Sequence, residues 1–282
     1  MGRVAVDVEA LGLRRAPLDV RDGILVYVAE PEVNWSDELE AIHEQATTDH
    51  FMDTYTRRAI VRGVVDALPG GGTAADLGCS SGLLLADLHR ARPEAALVGI
   101  DLVASGLERA REVAPTATLL LSDATDLPLG DASVNVLAAA NLLEHVPDDA
   151  AALTEIARVL RPGGRAAIVV PLGPGLYDYY DKALGHERRY APGSIGKQAA
   201  RAGLDVVARR SLGSFLYPAF WAVKKRHRRM SPSATADART LVARDIARTR
   251  HSKVGELLCR IEERLPRTPP FGIRELTILT PR

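Results

Sequence analysis

Cysteine is almost missing from this chain: Cys79 and Cys259 are the two in 282 residues. Two thiols make no disulfide framework, and with one of them inside a glycine turn a reducing cytoplasm is the expected compartment. An excess of either charge is missing too. Lysine plus arginine number 36 against 36 aspartates plus glutamates, so no global field draws the chain to nucleic acid or to a membrane surface. No apolar run approaches the roughly 18 residues that a membrane-spanning helix requires. The opening MGRVAVDVEALGLRR lacks the basic-then-apolar order of a secretory leader, and Val6 breaks a myristoylation motif. There is no internal repeat. The length suits one enlarged domain or a domain with a cap.

What is present centres on Thr73 to Gly82, TAADLGCSSG. A short strand leads through Asp76 into Gly78, Cys79, Ser80, Ser81 and Gly82, and the apolar helix pattern LLLADLHRA follows at once. A strand that ends in glycine and opens directly into a helix lets a ligand approach the backbone where a side chain would block it. Three chemistries fit the turn. Gly78 to Gly82 spells G-x-S-x-G, the elbow that exposes a nucleophile, here Ser80, in serine hydrolases. A dinucleotide site needs G-x-G-x-x-G, which Cys79 and Ser80 do not supply. S-adenosylmethionine carries no phosphate and needs close backbone approach more than an anion nest. Packing of helix on strand is a fourth, ligand-free role.

The following strands discriminate. ALVGIDL ends in Asp101, about 20 residues past the last glycine, where a carboxylate meets a ribose diol. ATLLLSDATDLPL ends in Asp123-Ala124, a carboxylate and a backbone N–H suited to the amino edge of adenine. SVNVLAAANLLEHVPD ends in Asn141 and runs into Glu144-His145.

DLGCSSG, GIDL, SDATDLPL, NLLEHVPD and LRPGG, in that order and spacing, resemble the class I S-adenosylmethionine-dependent methyltransferases, in the small-molecule branch that includes the type 11 domains. The resemblance covers Thr73 to Leu172, about a third of the chain. It implies S-adenosylmethionine as cofactor. Asp76, Gly78, Cys79, Ser80 and Gly82 would hold the methionine end, Asp101 with Leu102 the ribose, Asp123 with Ala124 the adenine, and Asn141 with Leu142 the methionine moiety from strand four. In place of Ser80-Ser81 the family often has glycine and threonine. A helix before the first strand commonly closes over the cofactor in this family, which gives Phe51, Tyr55 and Arg57 that role or a packing one.

Alternating apolar runs and helical patterns predict an α/β, Rossmann-like sheet of seven mostly parallel strands with helices on both faces and the ligand at the carboxyl ends of the strands. Strands are expected at 73–78, 96–102, 117–123, 133–141, 165–171 and over LDVVARRSL, with RELTILTPR inserted antiparallel last, as in the family. Arg161-Pro162-Gly163-Gly164 should stop the helix before strand five, and another helix should run from about Ser194 to Ala202. Residues 1–35 form an N-terminal extension in which DGILVYV pairs with VAVDVEAL as a hairpin. The core spans 36–212 and opens with two helices, one capped by Ser36 and one carrying Val61, Val64, Val65 and Leu68. A helical cap spans 213–270, and 271–282 returns to the sheet.

Two segments are candidates for the acceptor site. In PLGPGLYDYYDKALGHERRY, Tyr177, Tyr179 and Tyr180 can wall a pocket and Arg188 and Arg189 can clamp a carboxylate or phosphate. Related small-molecule enzymes carry a GH-x-RRY segment here, matched by Gly185, His186, Arg188, Arg189 and Tyr190, and arginine pairing with loop carbonyls is the competing structural role. In the cap, SFLYPAFWAV leads into Lys224 to Arg229, a basic run that reads as the solvated end of a lid helix or as a dock for an anionic membrane surface, an acidic carrier protein or a phosphorylated acceptor. His145 and His186 are the candidate bases for a hydroxyl acceptor. No His, Cys and Asp spacing indicates a metal. The expected function is methyl transfer to a small molecule, at oxygen ahead of nitrogen or carbon, in secondary-metabolite or sugar/lipid biosynthesis. A non-catalytic cofactor-fold binding protein and a hydrolase using Ser80 are the alternatives.

Overall fold

The apolar runs between Thr73 and Pro171 become the centre of a nine-stranded sheet in the computed structural model, which describes residues 12–29, 50–228, 249 and 252–282. In chain order the elements are β1 (Asp19–Arg21), β2 (Ile24–Val26), α1 (Phe51–Val64), β3 (Thr73–Leu77), α2 (Leu83–Ala91), β4 (Ala96–Asp101), α3 (Ala104–Val113), β5 (Thr118–Leu121), β6 (Val134–Ala140), α4 (Asp149–Val159), β7 (Leu160–Pro171), α5 (Tyr179–Ala183), α6 (Ser194–Arg201), β8 (Leu204–Leu212), α7 (Tyr217–His227), α8 (Lys253–Glu263) and β9 (Arg274–Pro281). The strands lie in the order β1-β2-β5-β4-β3-β6-β7-β9-β8. The seven expected strands are β3 to β9, with β9 antiparallel between β7 and β8. The two additional strands are the hairpin β1–β2, whose second member pairs parallel with β5.

Alternate residues feed two cores, as the two-residue period of a strand demands. Ala75, Leu77, Leu137, Ala139, Ile168 and Val170 face one layer, with Leu153 and Ile156 of α4 and Ile195 of α6. Ala74, Val136, Ala138, Ala167 and Val169 face the other, with Tyr55 and Ile60 of α1, Leu85 of α2 and Leu107 of α3. Burial on both faces is why these strands read as unbroken apolar runs.

Several expectations are corrected. The strand after Gly23 pairs with Asp19–Arg21, while VAVDVEAL at 4–11 lies outside the described residues, as do Ser36 and its helix. The stretch from His50 runs without a break into the expected helix of Val61 and Val64 as the single helix α1, with His50 capping it through Met52 N–H. Arg161 to Gly164 lies inside β7 as an irregular insertion. Val134 pairs with Leu160 and Val136 with Arg165, the slack being taken up where Gly163 adopts φ +78°.

The cap is fastened by charge. Asp181, wholly buried in α5, receives Arg189 Nε at 2.7 Å and His186 Nδ1 at 3.0 Å on one oxygen. Its other oxygen receives Lys224 Nζ at 2.7 Å and the Asp178 N–H at 3.1 Å. Lys224 also donates to Asp178 Oδ1 at 2.7 Å and lies 5.0 Å from the Tyr180 ring centre. The basic run is therefore not one solvated face. Lys224 and His227 turn inward, Lys225, Arg226 and Arg228 outward, and Arg229 lies outside the described residues. On the opposite side of the cap, the buried carboxylate of Glu262 accepts from Tyr55 Oη, Gly213 N–H and Phe215 N–H at 3.1, 2.9 and 3.2 Å.

Burial alone would raise the Asp181 carboxyl, but the His186 hydrogen bond and the charges of Arg189 and Lys224 outweigh it and hold it well below the usual range. Burial and the Arg189 charge lower Lys224, against the raising effect of its two 2.7 Å contacts with carboxylates. Removing this cation with Lys224→Ala leaves two buried carboxylates without it and should cost about 3–5 kcal/mol in urea unfolding. A carboxylate depressed in the folded state contributes stability above its unfolded value, about pH 4, and loses it as pH falls further. Wild-type stability should therefore drop below that pH more steeply than that of Asp181→Asn.

Candidate active site

The turn after β3 is built from left-handed residues. Gly78, Ser80 and Gly82 have φ of +75°, +44° and +77°, and Ser80 is a non-glycine residue held where few side chains go. A Cβ on Gly78 would stand 3.1 Å from Leu142 Cδ1, and one on Gly82 3.0 Å from Ala110. The first glycine thus brings the β3 and β6 exits together, and the second seats α2 on α3. The turn is closed by Gly78 N–H and Cys79 N–H, both donating to Ile100 O, and by Ser80 N–H donating to Asp101 Oδ2 at 2.8 Å. Cys79 packs its thiol inward beside Gly99.

The other residues expected at the cofactor stand at successive strand ends. Asp76 is the penultimate residue of β3 and 3% exposed. Burial, then the neighbouring charge of Asp101, push its carboxyl up to about 7 against the opposing field of Arg57. Asp101 ends β4, with half-buried Leu102 beside it, and its second oxygen accepts from Val103 N–H at 3.0 Å. Past β5, Asp123 Oδ1 accepts from Thr125 N–H and Oγ1, both at 2.7 Å, in a tight turn that buries Ala124. Asn141, leaving β6 at φ +51°, donates its N–H to Val169 O.

On α1 the expected lid residues are otherwise engaged. Arg57 pairs with Asp87 of α2 at 2.9 Å. Phe51 packs on α8, where a Cβ on Gly255 would come within 2.8 Å of three of its ring atoms. Tyr55 is wholly buried, its hydroxyl on Glu262.

The residues expected on the acceptor side are likewise engaged within the protein. Arg188 donates to the carbonyls of Val146 and Pro147 at 2.8 and 2.9 Å and lies 3.3 Å from Asp149. Arg189 is buried on Asp181 and Leu172 O. Tyr190 donates toward Leu143 O and Asp149, Tyr177 donates to His186 O at 2.6 Å, and the Tyr180 ring faces Lys224. Both arginines thus bind carbonyls and carboxylates of the protein itself, the structural role that competes with a clamp on an acceptor.

What the GH-x-RRY segment delivers is His186. Glu187 N–H donates to Glu144 O at 2.7 Å, and residues 172 and 190 form a parallel bridge. The loop is thereby laid against the β6 exit, and the His145 and His186 rings meet edge to face with centres 4.7 Å apart. Glu144 lies with them: one ligand-capable atom of each of the three residues falls within 4.8 Å of the others. Glu144 is 1% exposed and its Oε2 has no hydrogen bond. Burial raises its carboxyl above the usual range, offset in part by His186, its own N–H, Arg274 and Arg189. Against the expectation that no sequence spacing indicates a metal, these three side chains form a set that could hold one. Glu144 and His186 are 42 residues apart, so local spacing does not display the set.

Residues 75–168 match a family described as the methyltransferase domain. A 37.1 kDa protein in transposon TN4556 of Streptomyces fradiae is 35% identical over 181 residues, 60% of this chain and 51% of that one. The 27-O-demethylrifamycin SV methyltransferase of Amycolatopsis mediterranei is 32% identical over 154 residues, 50% of this chain and 52% of its own. The chain thus spans about half the length of these curated relatives. Among solved structures, geranyl diphosphate methyltransferase in complex with S-adenosylmethionine superposes with a TM-score of 0.56 at 16% identity, covering 82% of this chain and 86% of that one, a likeness of fold. The matched domain contains the glycine turn, which removes the ground for reading Ser80 as a hydrolase nucleophile. Residues 75–168 thus match the methyltransferase domain, and the sheet around them has the fold of a solved S-adenosylmethionine-bound methyltransferase.

Proposed function

We propose that this protein transfers a methyl group from S-adenosylmethionine to a small-molecule acceptor, with oxygen preferred to nitrogen or carbon. The observation that carries the reading is the pairing of buried Asp76 and Asp101 on either side of a turn too narrow for a Cβ at Gly78. A carboxylate buried beside another carboxylate asks for a cation, and the cofactor brings both an ammonium and a sulfonium. In this reading Asp76 receives the ammonium, the backbone of Gly78 to Gly82 lies against the methionine end, and Asn141 with Leu142 lines it. Asp101 takes the ribose hydroxyls and Asp123 with Ala124 the adenine. Arg57 acts through Asp76 by its field, and Phe51 holds α8.

When bound, the cofactor supplies a methyl on a good leaving group, so the protein mainly aligns and desolvates the acceptor. The proton of a hydroxyl acceptor goes to the histidine pair. His186 is favoured because Asp181, an acceptor when ionised, fixes its proton on Nδ1 and leaves Nε2 with a lone pair. The preference for oxygen draws on this base and on the printed activity of the Amycolatopsis relative. Biosynthetic work in the cytoplasm fits two buried cysteines outside any disulfide and the finding that no helix among the described residues is long and apolar enough to cross a membrane.

Asp101→Ala should weaken S-adenosylmethionine binding by about 100-fold in calorimetry, the worth of two charge-assisted hydrogen bonds; unchanged affinity would overturn the assignment. Asp76 is half protonated near pH 7 in the free protein, and only its ionised form attracts an ammonium. Affinity should accordingly fall by up to about tenfold per pH unit below 7 and level off above it. In Asp76→Asn that slope should vanish.

A further inference from the structure

Glu144, on the acceptor edge, carries a buried polar atom that its surroundings do not account for. A buried carboxylate oxygen without a hydrogen bond is costly, yet Glu144 Oε2 is in that position, on a residue only 1% exposed. What stands beside it is a pair of imidazoles from two chain segments, with one ligand-capable atom of each residue within 4.8 Å of the others. Ligands about 2.1 Å from a tetrahedral ion stand about 3.4 Å apart, so side-chain movements of about an ångström close the three onto one centre.

The support behind the histidine is of the kind that metal ligands have. His186 is held through Nδ1 by Asp181 at 3.0 Å, and Asp181 is itself pinned by Arg189 and Lys224. A carboxylate behind the ring sets the tautomer, aims Nε2 and raises its basicity as a ligand. Behind Glu144, the backbone bond from Glu187 N–H fixes the distance between the two segments.

We propose that Glu144, His145 and His186 bind a divalent transition-metal cation of the zinc, cobalt or manganese class. Two imidazoles and one carboxylate suit these ions better than magnesium or calcium, which prefer all-oxygen shells. Three protein ligands leave coordination positions open, the hallmark of a site that takes up an exogenous oxygen. The acceptor class that follows carries a hydroxyl, phenol or hydroxy-acid oxygen able to enter the metal's shell. That consequence for the acceptor rests on the methyl-transfer reading, with the cation, in place of the His186 Nε2 lone pair it would occupy, making the bound hydroxyl acidic enough to lose its proton to solvent; binding of the cation itself does not rest on that reading.

The test starts from full-length protein stripped with a chelator and titrated with Co(II) without cofactor or acceptor. One equivalent should bind with a visible d–d spectrum, and Glu144→Gln and His186→Ala should each weaken it by about 10- to 100-fold. Absence of stoichiometric binding, or wild-type affinity in both variants, overturns the proposal. Because either variant can fail to fold, X-ray absorption of the zinc-loaded wild type is the second measurement. Two imidazoles in the zinc shell support the site, and an oxygen-only shell overturns it. Cofactor and cobalt titrations of the wild type separate the two readings: no cobalt binding with S-adenosylmethionine binding intact removes the metal alone. Conversely, cobalt binding in a wild type that does not bind S-adenosylmethionine removes the methyl-transfer reading and leaves the metal.

Discussion

A single buried carboxylate, that of Asp181, holds the acceptor side of this molecule together. An ionised group in a low-dielectric interior must be met by opposite charge and by hydrogen bonds or it will not stay ionised. Asp181 is met four times, by His186, Arg189, Lys224 and the Asp178 N–H. These donors come from its own loop and from α7, so meeting the charge is the same event as docking the cap helix on the loop. Phe220 of that helix lies under the Arg189 guanidinium at 5.5 Å, excluding water from the pair.

Along the carboxyl edge the same physics runs in two regimes. Asp76 and Asp101 lie close enough that each disfavours the other's charge, and the Asp76 carboxyl is lifted toward neutrality. Asp181, equally buried, is driven the other way because cations reach it first. Glu144 lies between them in character: buried, near one histidine of the Asp181 network, and raised. The edge therefore presents a protonatable side toward the glycine turn and a permanently charged anchor beneath the cap.

The sheet was legible because its signals are local. Strands buried on both faces read as apolar runs, each ending in a polar residue, and Asp101, Asp123 and Asn141 stand at such ends in the folded chain. The glycine turn was legible because Gly78 and Gly82 occupy φ values that side chains avoid. What escaped depends on tertiary partners. Lys224 reads as one of six consecutive basic or histidine positions, and only the docking of α7 on α5 distinguishes it from Lys225. Arg188 and Arg189 look like anion ligands until the carbonyls of Val146, Pro147 and Leu172 are placed around them. Glu144 drew no role of its own because nothing within ten residues shows that His186 will arrive beside it. The partner of β2 was misassigned because two nearby stretches carry strand signals and only one of them, the shorter, adjoins the turn at Asp22-Gly23.

Glu262 has a mechanical consequence. Its carboxylate joins the hydroxyl of Tyr55 in α1 to the backbone just past β8, and Arg58 and Arg62 pair with the adjoining Glu263. The front wall of the molecule, from α1 through α8 to the root of α7, is riveted across three stretches of chain and travels as one piece. Traffic of ligands past that wall must be accommodated by strain at its seams and not by any one of its helices swinging out alone.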